Sequence, residues 1–202
     1  MLAAVGWGSV GPLLLISLAV MGSPGPATMS LVAAGSVYGV RRSLPYLIGV
    51  IAGTTMVLVA VALGFTAALL AVPRIGPLLI WISAAYILWL AYQIATAPPL
   101  SEQTHAPPAL SPLGGLLLGI ANPKAWVAIA AVLASSRLAE AATTDAAAKI
   151  ALLTAMIIAI CASWLLAGRS LAPLLREPRR ARFVNVGLAA TLVVATALAV
   201  LH

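Results

Sequence analysis

Ser23-Pro24-Gly25-Pro26-Ala27 lies inside an apolar run long enough to cross a membrane. Two prolines and a glycine there cannot continue an α-helix, because each proline lacks an N–H and pushes the residue before it out of the helical region. In hydrocarbon, backbone groups freed in this way are tolerated only where protein or a water-filled cavity satisfies them. The stretch therefore predicts a broken helix that lines something. Asn122-Pro123-Lys124-Ala125 makes a second break about half a chain later, again inside an apolar run. The chain reads as two halves built around these breaks.

Composition sets the solvent. Of 202 residues, 63% are hydrophobic and 7% charged, and the mean hydropathy is +1.13. A water-soluble domain of this size could not cover so much apolar surface. The net charge of +7 is no nucleic-acid signal, since the basic residues fall mainly between apolar runs, where they set membrane orientation. The single cysteine, Cys161, excludes an intramolecular disulfide and a dithiol redox pair within one chain. No Lys or Arg precedes the first apolar run, so the N-terminus makes a poor secretory signal peptide, and residues 1–202 read as one transmembrane unit with no soluble domain.

A span needs about 20 apolar residues. Six candidates follow in order: Gly6 to Val37, broken at Pro24–Pro26; Leu44 to Val72, with Gly49 and Gly53 spaced for close helix approach; Leu78 to Ala97, with Trp81 and Tyr92 near its ends; Pro112 to Ser136, broken at Asn122-Pro123; Ile150 to Gly168; and Phe183 to Leu201. The expected fold class is all-α, a polytopic membrane protein of six transmembrane helices with the first and fourth broken. Residues 1–97 form a first repeat, 98–111 a proline-rich linker with Glu102 and His105, and 112–202 a second repeat. Three spans per half invert the second half relative to the first, a recurring transporter design.

Orientation follows from the loops. With the N-terminus outside, the cytoplasmic loops hold Arg41, Arg42, Arg169, Arg176, Arg179, Arg180 and Arg182, against Arg74, Arg137 and Lys149 outside. The excess of cytoplasmic charge predicts an N-out, C-out protein of the cell membrane.

These features resemble the LysE/RhtB superfamily of amino-acid exporters. The similarity is carried by Ser23-Pro24-Gly25-Pro26-Ala27, by Gly39-Val40-Arg41-Arg42 followed by Gly49 and Gly53, by Ala85-Tyr86-Ile87-Leu88, by Asn122-Pro123-Lys124-Ala125 and by Asn185-Val186-Gly187. In order they cover nearly the whole chain. The resemblance implies export of small amino acids or related solutes, powered by an ion gradient. The family often carries an aspartate after the second-span glycine, where this chain has Thr54 and Thr55. It also tends to have an aromatic, proline-containing stretch after the fourth-span motif, where this chain reads Ala131 to Ser136.

The candidate substrate-binding residues are Pro24, Gly25, Pro26, Ala27, Asn122, Pro123 and Lys124. A half-helix N-terminus inside a span presents unpaired N–H groups and the positive end of the macrodipole to an anionic group such as a carboxylate. Lys124 adds a cation of the same sign, and an intramembrane charge is a site hypothesis by default. Its bland alternative is a lysine that snorkels to the surface or is tied to carbonyls freed by Pro123. Lys124 is also the candidate for carrying a coupling proton. Glu102, Glu140, Asp145 and Glu177 all read as loop residues, so no span is expected to hold a carboxylate. Cys161, Met56 and Met156 do not compose a metal site by type or spacing. Cys161, Trp89, Trp126 and Trp164 read as packing residues.

The expectation is therefore a secondary transporter, with no cofactor, catalytic residue or metal. Its partners would be an amino-acid-like solute, the lipid bilayer and a coupling proton, with no nucleic acid; a homodimer stays open. An exporter of a cation or another small solute is one alternative. A membrane thiol oxidoreductase is another, opposed by the lone cysteine. No P-loop is present to support primary pumping.

Overall fold

The structure is a computed structural model that describes residues 7–64, 110–171, 173 and 177–201, together with 81, 85, 88, 89, 91, 92, 95 and 96. Seven helices are built from the continuous segments: α1 (Trp7–Met21), α2 (Pro26–Val37), α3 (Gly39–Ala62), α4 (Pro112–Ala121), α5 (Pro123–Ser135), α6 (Ala142–Leu171) and α7 (Pro178–Leu201). No strand occurs among the described residues.

Both proline breaks are present. The chain bends by 69° between α1 and α2 and by 57° between α4 and α5. In each case a proline occupies the first turn of the second half-helix, where its missing N–H costs nothing and its fixed φ favours helix. Helices α3 and α6 are each long and apolar enough to cross a membrane, and each bent pair adds one more if counted as a single span. Leu15, Ile48, Val127 and Phe183 are all exposed on the outside of the bundle. A surface that apolar belongs against lipid, and the chain is a multi-pass membrane protein.

Helix α2 is buried along almost its whole length, from Pro26 to Ser36. A helix that is apolar all round belongs inside a bundle, and α2 packs against α3, α6 and α7. Ser43 Oγ donates to Ala34 O at 3.0 Å and ties the start of α3 to α2. The turn between these helices is made by Gly39, whose φ of +74° is the left-handed value that ends a helix.

The halves meet along glycine seams. Gly49 and Gly53 of α3 face Gly115 and Gly119 of α4, and a Cβ on any of them would run into the opposite backbone: Pro112 and Leu116, Leu116 and Gly119, Tyr46 and Val50, Val50 and Thr54 respectively. Gly35 of α2 and Gly168 of α6 approach the backbones of Leu165 and Val32 in the same way. Close backbone approach of this kind is how helices associate without a hydrophobic driving force.

Several loop assignments are corrected. Arg41 and Arg42 belong to the first turns of α3. Asp145 and Lys149 belong to α6, so the loop before it is far shorter than expected, and Lys149 is buried at 6% exposure. Asp145 is thus an acid on a candidate span. Arg169 is in the last turn of α6, while Arg179, Arg180 and Arg182 lie in α7. Charged residues mark where a chain can leave hydrocarbon, yet arginine and lysine are good helix formers and the helices run on through them. The predicted third span is described only at scattered positions. Nearly all of the linker lies outside the described residues, as do Arg74, Glu102, His105 and Arg176.

Candidate functional site

The first break is assembled from short local bonds. Gly25 is extended at φ −166° and precedes α2. Its N–H donates to Thr28 Oγ1 at 2.8 Å, and the Thr28 hydroxyl donates to Gly25 O at 3.0 Å. A residue at this third helical position commonly reaches back to the chain before the helix. Ser23 Oγ donates to Val20 O at 2.9 Å. The carbonyl just beyond α1 is closed from elsewhere: Trp164 of α6 donates its indole N–H to Gly22 O at 3.1 Å. At the second break, Asn122 is extended and precedes α5. Its backbone oxygen accepts from Ala125 N at 3.0 Å, and Trp126 donates its indole N–H to Ile120 O at 2.7 Å. Trp126 and Trp164, read from sequence as packing residues, thus satisfy carbonyls that the breaks release. Each such buried carbonyl would otherwise cost about 1–3 kcal/mol.

Lys124 joins the two breaks. Its Nζ donates to Ser23 Oγ at 2.7 Å, to Pro24 O at 3.0 Å and to Ser23 O. An ammonium has three N–H donors, so all three have acceptors, and all of these belong to the first break. Gly25 makes the approach feasible through lack of bulk, since a Cβ there would sit 2.6 Å from Lys124 Cδ and 3.1 Å from Nζ. Lys124 is tied to backbone carbonyls, yet those are the carbonyls of Ser23 and Pro24 in the first break and not the ones freed by Pro123.

A cavity of about 50 Å³ opens beside this bridge. Gly25, Ala27 and Thr28 line it from the first break, Thr54 from α3, and Asn122, Lys124 and Ala125 from the second break. Ala128, Ile129, Ile157, Ile160 and Cys161 make its apolar end. Lys124 is the one charged residue in the lining among the described residues. At about 10–15 Å³ per water, the space holds a few waters, and a larger solute would need the helices to separate.

Of the seven residues singled out from the sequence, Gly25, Ala27, Asn122 and Lys124 line this cavity. Pro24 contributes a carbonyl to Lys124, and Pro26 and Pro123 start the half-helices. The sequence reading missed Ser23, Thr28, Thr54 and the α6 wall. Thr28 could have been found from its position three residues after Gly25. The α6 wall could not, because it depends on how α2 packs against α6.

Asn122 is 6% exposed, and its Oδ1 has no hydrogen-bond partner among the described residues. Away from this site, Asp145 and Lys149 pair at 2.8 Å. Asp145 Oδ1 accepts from Leu138 N at 2.5 Å and Ala139 N at 3.2 Å, and Lys149 Nζ donates to Leu133 O at 3.0 Å. This pair staples the α5–α6 connection. No group of three or more metal-ligating side chains occurs among the described residues.

A family profile described as LysE type translocator matches residues 17–202. Among curated proteins the chain is similar to the cysteine/O-acetylserine efflux protein of Salmonella paratyphi A, at 38% identity over 87 residues, covering 43% of this chain and 44% of the relative. It is also similar to the proteins of that name from Klebsiella pneumoniae, 38% over 93 residues with 46% and 45% covered, and from Escherichia coli, 34% over 87 residues with 43% and 44% covered. The aligned stretch spans less than half the length of these relatives. No solved structure matches the chain.

Proposed function

The chain belongs to the LysE type translocator family, a family of transporters, and from that premise we propose that it exports a small amino acid or a similar carboxylate-bearing solute across the cytoplasmic membrane. The observation that carries this reading is Lys124, a cation on a cavity lined by no carboxylate among the described residues, held between two broken helices. An anionic solute would be attracted there and a metal cation repelled. The relatives named for cysteine and O-acetylserine efflux handle solutes with an α-carboxylate and a small side chain, and the alanine and isoleucine end of the cavity suits such a side chain.

In this account the full protein has six spans in two inverted repeats, 1–97 and 112–202, joined by 98–111, with both termini outside. Pro24, Gly25, Pro26, Ala27, Asn122, Pro123 and Lys124 form the binding region. A substrate carboxylate takes over from the Ser23 and Pro24 oxygens as partner of Lys124, which loosens the bridge between the halves and couples binding to opening. Lys124 is also the coupling-proton candidate, as the charged residue that meets the solute. The test is efflux of L-cysteine and O-acetyl-L-serine from proteoliposomes with and without an imposed proton gradient. Gradient-stimulated flux of either supports the reading; a protein that moves metal cations and neither amino acid rejects it.

A further inference from the structure

Asn122 stands at the position before α5 where an asparagine side-chain oxygen ordinarily accepts an N–H from the first helical turn. Here it makes no such cap. Ala125 N bonds instead to the Asn122 backbone oxygen; Oδ1 is left buried and unpartnered among the described residues, in a side chain that belongs to the cavity lining. Buried polar atoms in folded proteins nearly always have a partner, so this oxygen has the capacity to accept a hydrogen bond that the described residues do not supply. Two of the neighbouring side chains that carry donors, Lys124 and Thr28, are already committed. The three N–H groups of Lys124 go to Ser23 and Pro24, and the Thr28 hydroxyl goes to Gly25 O.

We propose that Asn122 Oδ1 receives the α-ammonium group of the transported solute, so that the second break reads both poles of a zwitterion, with the carboxylate at Lys124 and the ammonium at Asn122. This rests on the carboxylate reading of Lys124 and adds to it a requirement that Lys124 cannot impose. The two side chains flank Pro123, which fixes the backbone between them. A solute whose carboxylate and ammonium share one carbon matches two recognition groups that close in the chain. Ile129, Ile157 and Ile160 offer nothing polar to a side chain at the far end of the cavity. The substrate class is then a small α-amino acid with an uncharged side chain. Simple carboxylates of the same size are excluded, because they would leave the buried oxygen unpaired, and a site built to hydrogen-bond a group discriminates strongly against an analogue lacking it.

The experiment compares L-cysteine with 3-mercaptopropionate, which lacks only the ammonium, in proteoliposomes of the full chain under reducing conditions. Wild type should favour cysteine by about 100-fold or more. Asn122→Leu, which removes the acceptor at similar size, should bring the two within about tenfold, whereas Asn122→Asp, which keeps an acceptor, should retain the preference. A wild type that carries both compounds equally overturns the proposal without needing any variant, as does a cysteine preference that survives Asn122→Leu; either result leaves Lys124 as the carboxylate partner. Lys124→Met should lower flux of both compounds alike. Flux of neither compound in wild type overturns this proposal and the carboxylate reading together.

Discussion

Lys124 and Ser23 are 101 residues apart in the chain, and the Lys124 ammonium bonds both the hydroxyl and the carbonyl of Ser23. One side chain thereby neutralises the backbone exposed by the first break while standing in the second. Gly25 leaves the space for it, and the tryptophans at 126 and 164 close the other released carbonyls. The same construction makes the breaks tolerable in a membrane and places a cation where a solute could compete for it.

The glycine seam between α3 and α4 should respond to a single methyl. In Gly115→Ala the new Cβ meets the Tyr46 carbonyl and Val50 N, backbone atoms that cannot rotate away. Destabilisation of about 1–3 kcal/mol is expected, read as a lowered unfolding midpoint in detergent. Gly187→Ala in α7, where no described residue lies within 4 Å of the new Cβ, should leave the midpoint unchanged or slightly raised.

The indole closing the first break gives a second test. Trp164→Phe keeps an aromatic ring but removes the N–H that Gly22 O accepts. A loss of about 1–3 kcal/mol is expected, with faster amide exchange confined to the end of α1 and the break. Exchange unchanged in that segment would mean that the bond does not hold it.

How much of this could be read from the sequence depends on the range of the physics. The bends at Pro24–Pro26 and at Pro123 were legible because proline acts on its own residue and the one before it. The facing of Gly49 and Gly53 toward a neighbour was legible from spacing alone, although not which neighbour. Helices run on past the charges at Arg41, Arg42, Asp145 and Lys149, because hydropathy reports contact with lipid and a helix can continue beyond it. The acceptors of Lys124, the role of Trp164 and the α6 wall required the tertiary structure, because each joins residues more than a hundred positions apart or on helices whose rotation the sequence does not specify.

The Asp145–Lys149 pair is the feature that the loop reading concealed. Its side chains are 16% and 7% exposed. Removing Lys149 leaves the Asp145 carboxylate with only the Leu138 and Ala139 N–H groups as partners, so Lys149→Met should cost about 1–3 kcal/mol. The double variant Asp145→Asn, Lys149→Met should recover part of that loss. Additive losses in the double variant would show that the two groups do not interact.

Topology supplies a prediction independent of the site. With both termini outside, alkaline phosphatase fused after His202 should be active and a cytoplasmic fluorescent reporter at the same place dark. The opposite pattern would place the C-terminus inside and reverse the proposed orientation of the spans.

The most direct test of the central claim is export by Lys124→Met in proteoliposomes, measured against wild type and Arg179→Gln at equal reconstituted protein. Arg179 is an exposed residue of α7, away from the cavity. Lys124→Met should reduce L-cysteine efflux by at least about 100-fold, the scale of a lost charge-assisted contact, while Arg179→Gln stays within about twofold. Efflux by Lys124→Met equal to that of wild type would contradict the account.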